Sequence, residues 1–81
     1  MPQWLGLDPL AAFTVRRIEA CGWAVSVHLV NEVVEMHAIP KDPSREVQIG
    51  RCADGAGPVE QRRAAKLLAE MIGLKNVVGP D

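Results

Sequence analysis

The chain has 81 residues, of which 48% are hydrophobic and 23% charged, and its formal net charge is −1. This length and composition indicate one small globular domain and exclude a disordered chain. The near-neutral charge provides no long-range attraction for polyanions, so any contact with nucleic acid would have to use a local basic patch.

Cysteine content and hydropathy indicate the compartment. Two cysteines, Cys21 and Cys52, do not make a disulfide framework, and no apolar run approaches the roughly 20 residues that span a bilayer. The N-terminus lacks the pattern of a signal sequence. We therefore expect a cytoplasmic protein whose two cysteines are reduced, buried or half-buried core residues rather than nucleophiles.

The first predicted elements are an apolar lead-in and a helix. Residues 1–7 either dock on the domain or mediate self-association. Asp8 and Pro9 predict a helix start, because a carboxylate can cap free N–H groups and proline suits the first turn. Gly22 is a stop signal, so the helix would run to about Cys21. Its apolar stripe, at three- and four-residue spacing, would be Leu10, Phe13, Thr14, Ile18 and Cys21.

Two alternating segments, 23–30 and 33–39, predict a β-hairpin. Only Asn31 and Glu32 separate them, and asparagine tolerates the positive φ of a tight turn. A two-residue turn pairs Val30 with Val33, His28 with Glu35 and Ser26 with His37 on one face, and Leu29 with Val34, Val27 with Met36 and Val25 with Ala38 on the other. A slip of one residue would destroy this separation of polar and apolar faces.

A third strand and a second helix complete the predicted order. The strand would run from Arg45 to Cys52 with Val47 and Ile49 facing inward, and with Glu46 and Gln48 facing outward. The helix would run over residues 58–72 with an apolar stripe of Ala64, Ala65, Leu68, Met71 and Ile72. Gly73 with Leu74 after it predicts a glycine C-cap, and residues 75–81 a flexible tail.

This order predicts an α+β fold. The elements would form a two-layer sandwich in α-β-β-β-α order, with a three-stranded antiparallel sheet and both helices on one face. Residues 8–74 would make the single domain. The opposite face would be left to solvent or a partner, and it would carry Ser26, His28, Glu35, His37 and Gln48.

The opening of the second helix is basic. Residues 62–66 read Arg-Arg-Ala-Ala-Lys, and residues 55–57 read Gly-Ala-Gly. With the element order, these segments resemble double-stranded RNA-binding domains, whose last helix begins with a Lys-Lys-x-Ala-Lys pattern that contacts phosphates across the major groove. The resemblance implies that fold and a phosphate-binding surface of Arg62, Arg63 and Lys66, which Arg17 could extend.

The chain departs from that family in two places. The spacer between the glycines and the basic residues is longer, and the loop Asn31-Glu32 lacks the Gly-Pro-x-His segment that enters the minor groove. Without that contact the shape readout of duplex RNA is lost, and three cations alone would give weak, salt-sensitive binding. The alternative is a solvated helix face on which Arg63 and Lys66 pair with Glu70.

His28, Glu35 and His37 form a second candidate site. Directly opposed Cβ atoms in a sheet lie about 5 Å apart and diagonal ones about 7–8 Å. Two imidazoles and a carboxylate at such distances could hold one metal ion with an open coordination position. The alternative is a polar outer face with a His–Glu contact between strands.

The sequence contains no recognisable catalytic arrangement. Neither a Ser-His-Asp or Cys-His set nor a phosphate-loop lysine is apparent, so we predict no catalytic residues, no enzyme activity and no cofactor. We predict a non-catalytic interaction module that binds a protein or a second copy of itself through the open sheet face or a sheet edge. Nucleic-acid binding and metal binding are the alternatives, and no membrane or small-molecule substrate is indicated.

Overall fold

The computed structural model describes residues 7–51 and 55–74. In chain order its elements are α1 (Pro9–Glu19), β1 (Trp23–Val30), β2 (Val33–Pro40), β3 (Gln48–Arg51) and α2 (Pro58–Met71). The strands form one antiparallel sheet in the order β1-β2-β3. The predicted α+β class and the α-β-β-β-α order are confirmed.

The start of α1 is fixed by its predicted cap. The Asp8 carboxylate accepts hydrogen bonds from the backbone N–H groups of Leu10 at 3.0 Å and Ala11 at 3.2 Å. These are N–H groups that have no partner within the helix, so the cap stabilises the first turn. The helix ends at Glu19, earlier than the predicted Cys21.

The buried face of α1 differs from the predicted stripe. Its buried residues are Ala11, Thr14, Val15 and Ile18. Leu10 and Phe13 are 39% and 47% exposed, and Cys21 is exposed. The prediction of a buried Cys21 is wrong because the helix ends before it, so Cys21 no longer follows the helical period. Leu10 and Phe13 point away because α1 packs its other stripe, which includes Ala11, Val15 and Ile18, on β1 and α2.

The hairpin of β1 and β2 forms in the predicted register, and all the predicted pairs are observed. Asn31 and Glu32 have φ values of 52° and 63°, which is the left-handed pair that a type I′ turn requires. On the face toward the helices, Val34, Met36 and Ala38 are fully buried. Turn length and hydrophobic alternation therefore agree, as the register argument requires.

β3 is shorter than predicted, and its two faces are reversed. Gly50 lies opposite Met36 and Ile49 opposite His37, so Gly50 faces the helices and Ile49 faces away from them. Ile49 is 45% exposed, and Val47, which precedes the strand, is 49% exposed. The predicted inward orientation of Val47 and Ile49 is therefore wrong.

The reversal of β3 follows from the close approach of α2. A Cβ atom on Gly50 would lie 2.5 Å from the Ala64 carbonyl oxygen and 2.9 Å from the Leu68 Cβ atom. The position opposite Met36 thus accepts only a residue without a side chain. With Gly50 facing inward, Gln48 also lies on the helix side, and its predicted outward orientation is wrong.

α2 ends at the predicted glycine cap. Gly73 has a φ of 89°, its N–H donates to the Glu70 carbonyl at 3.1 Å, and the Leu74 N–H donates to the Ala69 carbonyl at 2.9 Å. This pair of bonds is a Schellman motif. The buried residues of α2 are Gln61, Ala64, Ala65, Leu68 and Ala69. Met71, which was predicted on the buried stripe, is 51% exposed because it lies on a flank of this face, where the helix ends.

Both helices pack on the same side of the sheet. α1 packs on β1 and on α2, while α2 packs on β2 and β3. The core between the layers contains Ile18, Val34, Met36 and Leu68, and Trp23 at the start of β1 is 5% exposed. We call the other side of the sheet the open face, because no described element covers it. Its residues are Ala24, Ser26, His28, Val30, Val33, Glu35, His37, Ile39, Ile49 and Arg51.

Some predictions fall outside the described residues. They concern most of the lead-in (1–6), Cys52 and the tail (75–81). Leu7, the last residue of the lead-in, is half-buried and packs against the core. Within residues 7–51 and 55–74, the helices are too short or too polar to cross a bilayer.

Candidate functional site

The centre of the open face holds polar side chains from all three strands. Glu35 binds two of them: His37 Nε2 lies 3.2 Å from Glu35 Oε1, and Arg51 Nε lies 3.1 Å from Glu35 Oε2. On β1, the Ser26 hydroxyl lies 2.9 Å from His28 Nε2. Each of these groups is held by a neighbour, so the cluster presents fixed polar atoms on a sheet scaffold. We call Ser26, His28, Glu35, His37 and Arg51 the polar cluster.

The two histidines of the polar cluster contact each other. Their ring centroids lie 4.3 Å apart with an interplanar angle of 46°. The predicted register places His28 opposite Glu35, and the structure has this pair. The side-chain contact differs, because Glu35 contacts His37 of its own strand rather than His28 across the hairpin.

The predicted metal site consists of His28, Glu35 and His37. The structure brings the three together on one face, but no group of three or more His, Cys, Asp and Glu side chains within the described ranges has an arrangement that would hold a metal ion. Glu35 is bound to Arg51, which competes for the carboxylate oxygen that a metal would need. The geometry therefore gives the metal hypothesis no support.

Exposed apolar side chains flank the polar cluster at both ends. Ile49 lies beside His37 and is 45% exposed, and Ile39 is 43% exposed on the same side. Val30 is 39% exposed at the hairpin end. Protein–protein interfaces also combine apolar contact area with hydrogen-bonded polar groups. Sequence reasoning missed Ile49 here because it assigned the faces of β3 in reverse.

The basic opening of α2 is built differently from the prediction. Arg62 binds the Asp8 carboxylate through both nitrogens of its fork, Nε to Oδ2 at 2.7 Å and Nη2 to Oδ1 at 2.9 Å. Gln61 accepts from the Asp8 N–H at 2.7 Å and donates to the Ala56 carbonyl at 3.0 Å. We call Asp8, Gln61 and Arg62 the helix clamp, because they join the starts of α1 and α2.

Charge in the helix clamp is locally balanced. The hydrogen bond from Arg62 lowers the pKa of the Asp8 carboxyl from 3.8 to about 2, against the opposing effect of burial, and the N–H groups of Ala11 and Leu10 add to the lowering. The same bond raises the pKa of Arg62. The guanidinium of Arg62 is therefore already neutralised by a buried carboxylate. Its partner lies 54 residues away in sequence, and no local pattern reveals it.

The other predicted phosphate-binding residues are Arg63, Lys66 and Arg17. Arg63 is exposed on α2, whereas Arg17 and Lys66 each make an interaction of their own. Since Arg62 serves the helix clamp, the geometry does not favour a phosphate-binding surface at this place.

An open groove of about 370 Å³ lies away from the polar cluster. At the wall of this groove, the Arg45 guanidinium lies 5.3 Å from the centroid of the Trp23 ring. The groove is lined by Trp23, Arg45, Glu46, Gln48, Met71 and Ile72. It shares no residue with the polar cluster and brings no catalytic set together.

Fold and site together define a small α+β domain with one sheet face that none of the described elements covers. Comparison with protein-family models, with curated protein sequences and with solved structures finds no significant match to this chain.

Proposed function

We propose that this domain is a non-catalytic interaction module that binds a protein through its open face. The observation that carries the proposal is the exposure of Ile39 and Ile49 beside the hydrogen-bonded polar cluster, on a sheet face that no described element covers. Such a surface offers apolar area for affinity and fixed polar atoms for specificity.

The rigidity of the open face also favours binding. β2 is the central strand, and its alternate residues Val34, Met36 and Ala38 are fully buried on the other side of the sheet. The side chains of Glu35 and His37 therefore project from an anchored backbone and are already held by their neighbours. Because these side chains are already ordered, their ordering would subtract little from the free energy of binding a partner.

Two other functions compete with this proposal. Binding of a nucleic-acid backbone at Arg62, Arg63 and Lys66 would use a guanidinium that is engaged with Asp8. Metal binding at the polar cluster would have to displace Arg51 from Glu35. No contact in the described residues favours either alternative over protein binding.

A comparison of three immobilised proteins tests the proposal. Wild type, Ile49→Lys and Leu67→Lys are exposed to extract from the source cells, and the retained proteins are quantified by mass spectrometry. Ile49 and Leu67 are similarly exposed, at 45% and 43%, but Leu67 lies on α2 and serves as the matched control. We expect one or more proteins to be retained by wild type and Leu67→Lys and lost with Ile49→Lys. Identical retention by all three would refute binding through the open face.

A further inference from the structure

β1 is an edge strand with a complete row of outward backbone groups. The two-residue turn makes Val30 and Val33 a hydrogen-bonded pair, and such pairs recur at every second residue. Ser26, His28 and Val30 therefore direct their N–H and C=O groups toward β2. The alternate residues of the strand direct theirs to the outer side, where no described strand lies; these are Val25, Val27 and Leu29.

The outer edge of β1 lacks the features by which proteins block strand pairing. Natural edge strands are short, charged, bulged or interrupted by proline. β1 has eight residues, reads WAVSVHLV without lysine or proline, and pairs with β2 without a bulge. The opposite edge is protected, because β3 has only four residues and ends in Arg51. Of the two described edges, β1 therefore offers the longer row of backbone groups for extension of the sheet.

The helix layer also exposes apolar side chains beside the outer edge of β1. α1 packs on β1, so it is the helix nearest to the open edge. At 100° per residue, Leu10 and Phe13 lie on the flank of α1 opposite to Asp8, which contacts α2. They are 39% and 47% exposed, and Leu29 of β1 is 46% exposed. Both layers thus expose apolar area along the same edge.

We propose that β1 pairs with β1 of a second copy of this chain, antiparallel and about a two-fold axis. The two three-stranded sheets would become one continuous sheet. An isologous interface requires a strand that is complementary to itself when reversed. Centred on Val27, the outward groups of β1 meet this requirement, because Val27 lies opposite its own copy and Val25 opposite Leu29, each a hydrogen-bonded pair.

The side-chain pairs of this register are also matched. On the helix side, every pair just named is apolar. On the open side, Ser26 lies opposite His28 and Ala24 opposite Val30, so polar meets polar and apolar meets apolar. The two-fold axis would also place the α1 helices of both copies on the same side of the joined sheet, with Leu10 and Phe13 of each on the flank toward the other copy.

Edge pairing shares Ser26 and His28 of β1 with the open face proposed above as the protein-binding site, but it does not use β3. Ile49 of that site lies on β3, at the far side of the sheet from β1. The dimer would join the two open faces side by side, and a partner could then contact both.

Solution mass over a range of concentrations, from low micromolar to millimolar, tests the proposal. We expect wild type and the matched control Leu67→Lys to approach twice the monomer mass. Leu29→Lys places a charge where the Val25 side chain of the second copy would pack, so it should raise the dissociation constant by at least about ten-fold. A wild type that is monomeric at every concentration overturns the proposal. A dimer that Ile49→Lys disrupts and Leu29→Lys does not disrupt also overturns it, because the contact would then be the open face.

Backbone amide exchange measured by NMR gives a second test that depends on no variant. Ser26, His28 and Val30 donate to β2 and should exchange slowly at all concentrations. The amides on the outer side of β1 are those of Val25, Val27 and Leu29. Their exchange should be fast in dilute protein and should become slower as the dimer forms. Fast exchange of the second set in a sample that is dimeric by mass would contradict edge pairing. Loss of retention by Ile49→Lys is a separate result, so the two proposals fail independently.

Discussion

Single side chains at the start of α2 hold the two helices together. Arg62 is the first residue of a basic run that looks suited to phosphate, yet its guanidinium binds the cap of α1. A cation on a helix start can therefore have a structural role when a buried carboxylate of another element lies within reach. Leu10 and Phe13 lie away from this contact on α1 and are exposed.

Acid should weaken the fold through Asp8. Its carboxyl has a pKa of about 2 in the folded chain, below the ordinary 3.8, because Arg62 stabilises the charged form. A lowered folded-state pKa contributes stability that is fully present above the unfolded value and lost as pH falls through the folded one. We expect the free energy of unfolding to fall between about pH 4 and pH 2, and to fall less in Asp8→Asn. Urea unfolding at a series of pH values measures this.

Glu19→Gln is the control for that experiment, because it removes a carboxylate from the exposed end of α1. It should keep the wild-type dependence on pH. Parallel curves for wild type and Asp8→Asn would show that the helix clamp makes no contribution that depends on ionised Asp8.

Gln61 should matter for stability through its two buried hydrogen bonds. Gln61→Met would leave the Asp8 N–H and the Ala56 carbonyl without partners, at a cost of about 1–3 kcal/mol. Gln48→Met is the matched control, since the Gln48 side chain donates a long hydrogen bond, of 3.4 Å, to the Glu46 carbonyl at an exposed place. Chemical denaturation measures both. Equal stabilities of the two variants would contradict the account of Gln61.

Secondary structure follows the sequence wherever local interactions decide it. The hairpin is predictable because a two-residue turn and the alternation of β1 and β2 determine the same register. β3 is not, because its faces are set by the contact of Gly50 with Ala64 and Leu68 in an element that follows later in the chain. The buried face of α1 likewise depends on its packing on β1 and α2. Packing between distant elements therefore decided both errors.

The hairpin turn contains a residue whose replacement by glycine should stabilise the fold. Glu32 has a φ of 63°, a conformation that costs free energy for residues with a Cβ atom, and glycine is the preferred residue at this turn position. Glu32→Gly should stabilise the fold by about 0.5–1 kcal/mol. Thermal unfolding measures this, with Glu46→Gly as a control that should stabilise nothing. A lower melting temperature for Glu32→Gly would contradict the type I′ assignment.

The contact between β3 and α2 should tolerate no side chain. Gly50→Ala would place a methyl group 2.5 Å from the Ala64 carbonyl oxygen, which requires a backbone shift and should cost about 1–3 kcal/mol. At Gly57, in contrast, a new methyl group meets only the flexible end of Glu60, at 2.9 Å. Gly57→Ala should therefore be the milder change in chemical denaturation. The reverse order would show that the close approach of α2 is not the reason for Gly50.

Among the described residues, the helices cover one face of the sheet and no element covers the other. Two helices suffice to bury Val34, Met36 and Ala38, but no described element remains to cover the polar cluster or the outer edge of β1. The sequence predicts the open face and its histidines, because the hairpin register is local. It does not predict Ile49 there or the engagement of Arg62, because both depend on how α2 packs.

The central claim is that the open face, and not the basic start of α2, contacts the partner. Site-specific photocrosslinking in source cells tests it most directly, with a photoreactive residue at Ile49 in one variant and at the exposed Arg63 in another. The account predicts a discrete protein adduct from position 49 and none from position 63. An RNA or protein adduct from position 63, with none from position 49, would contradict it.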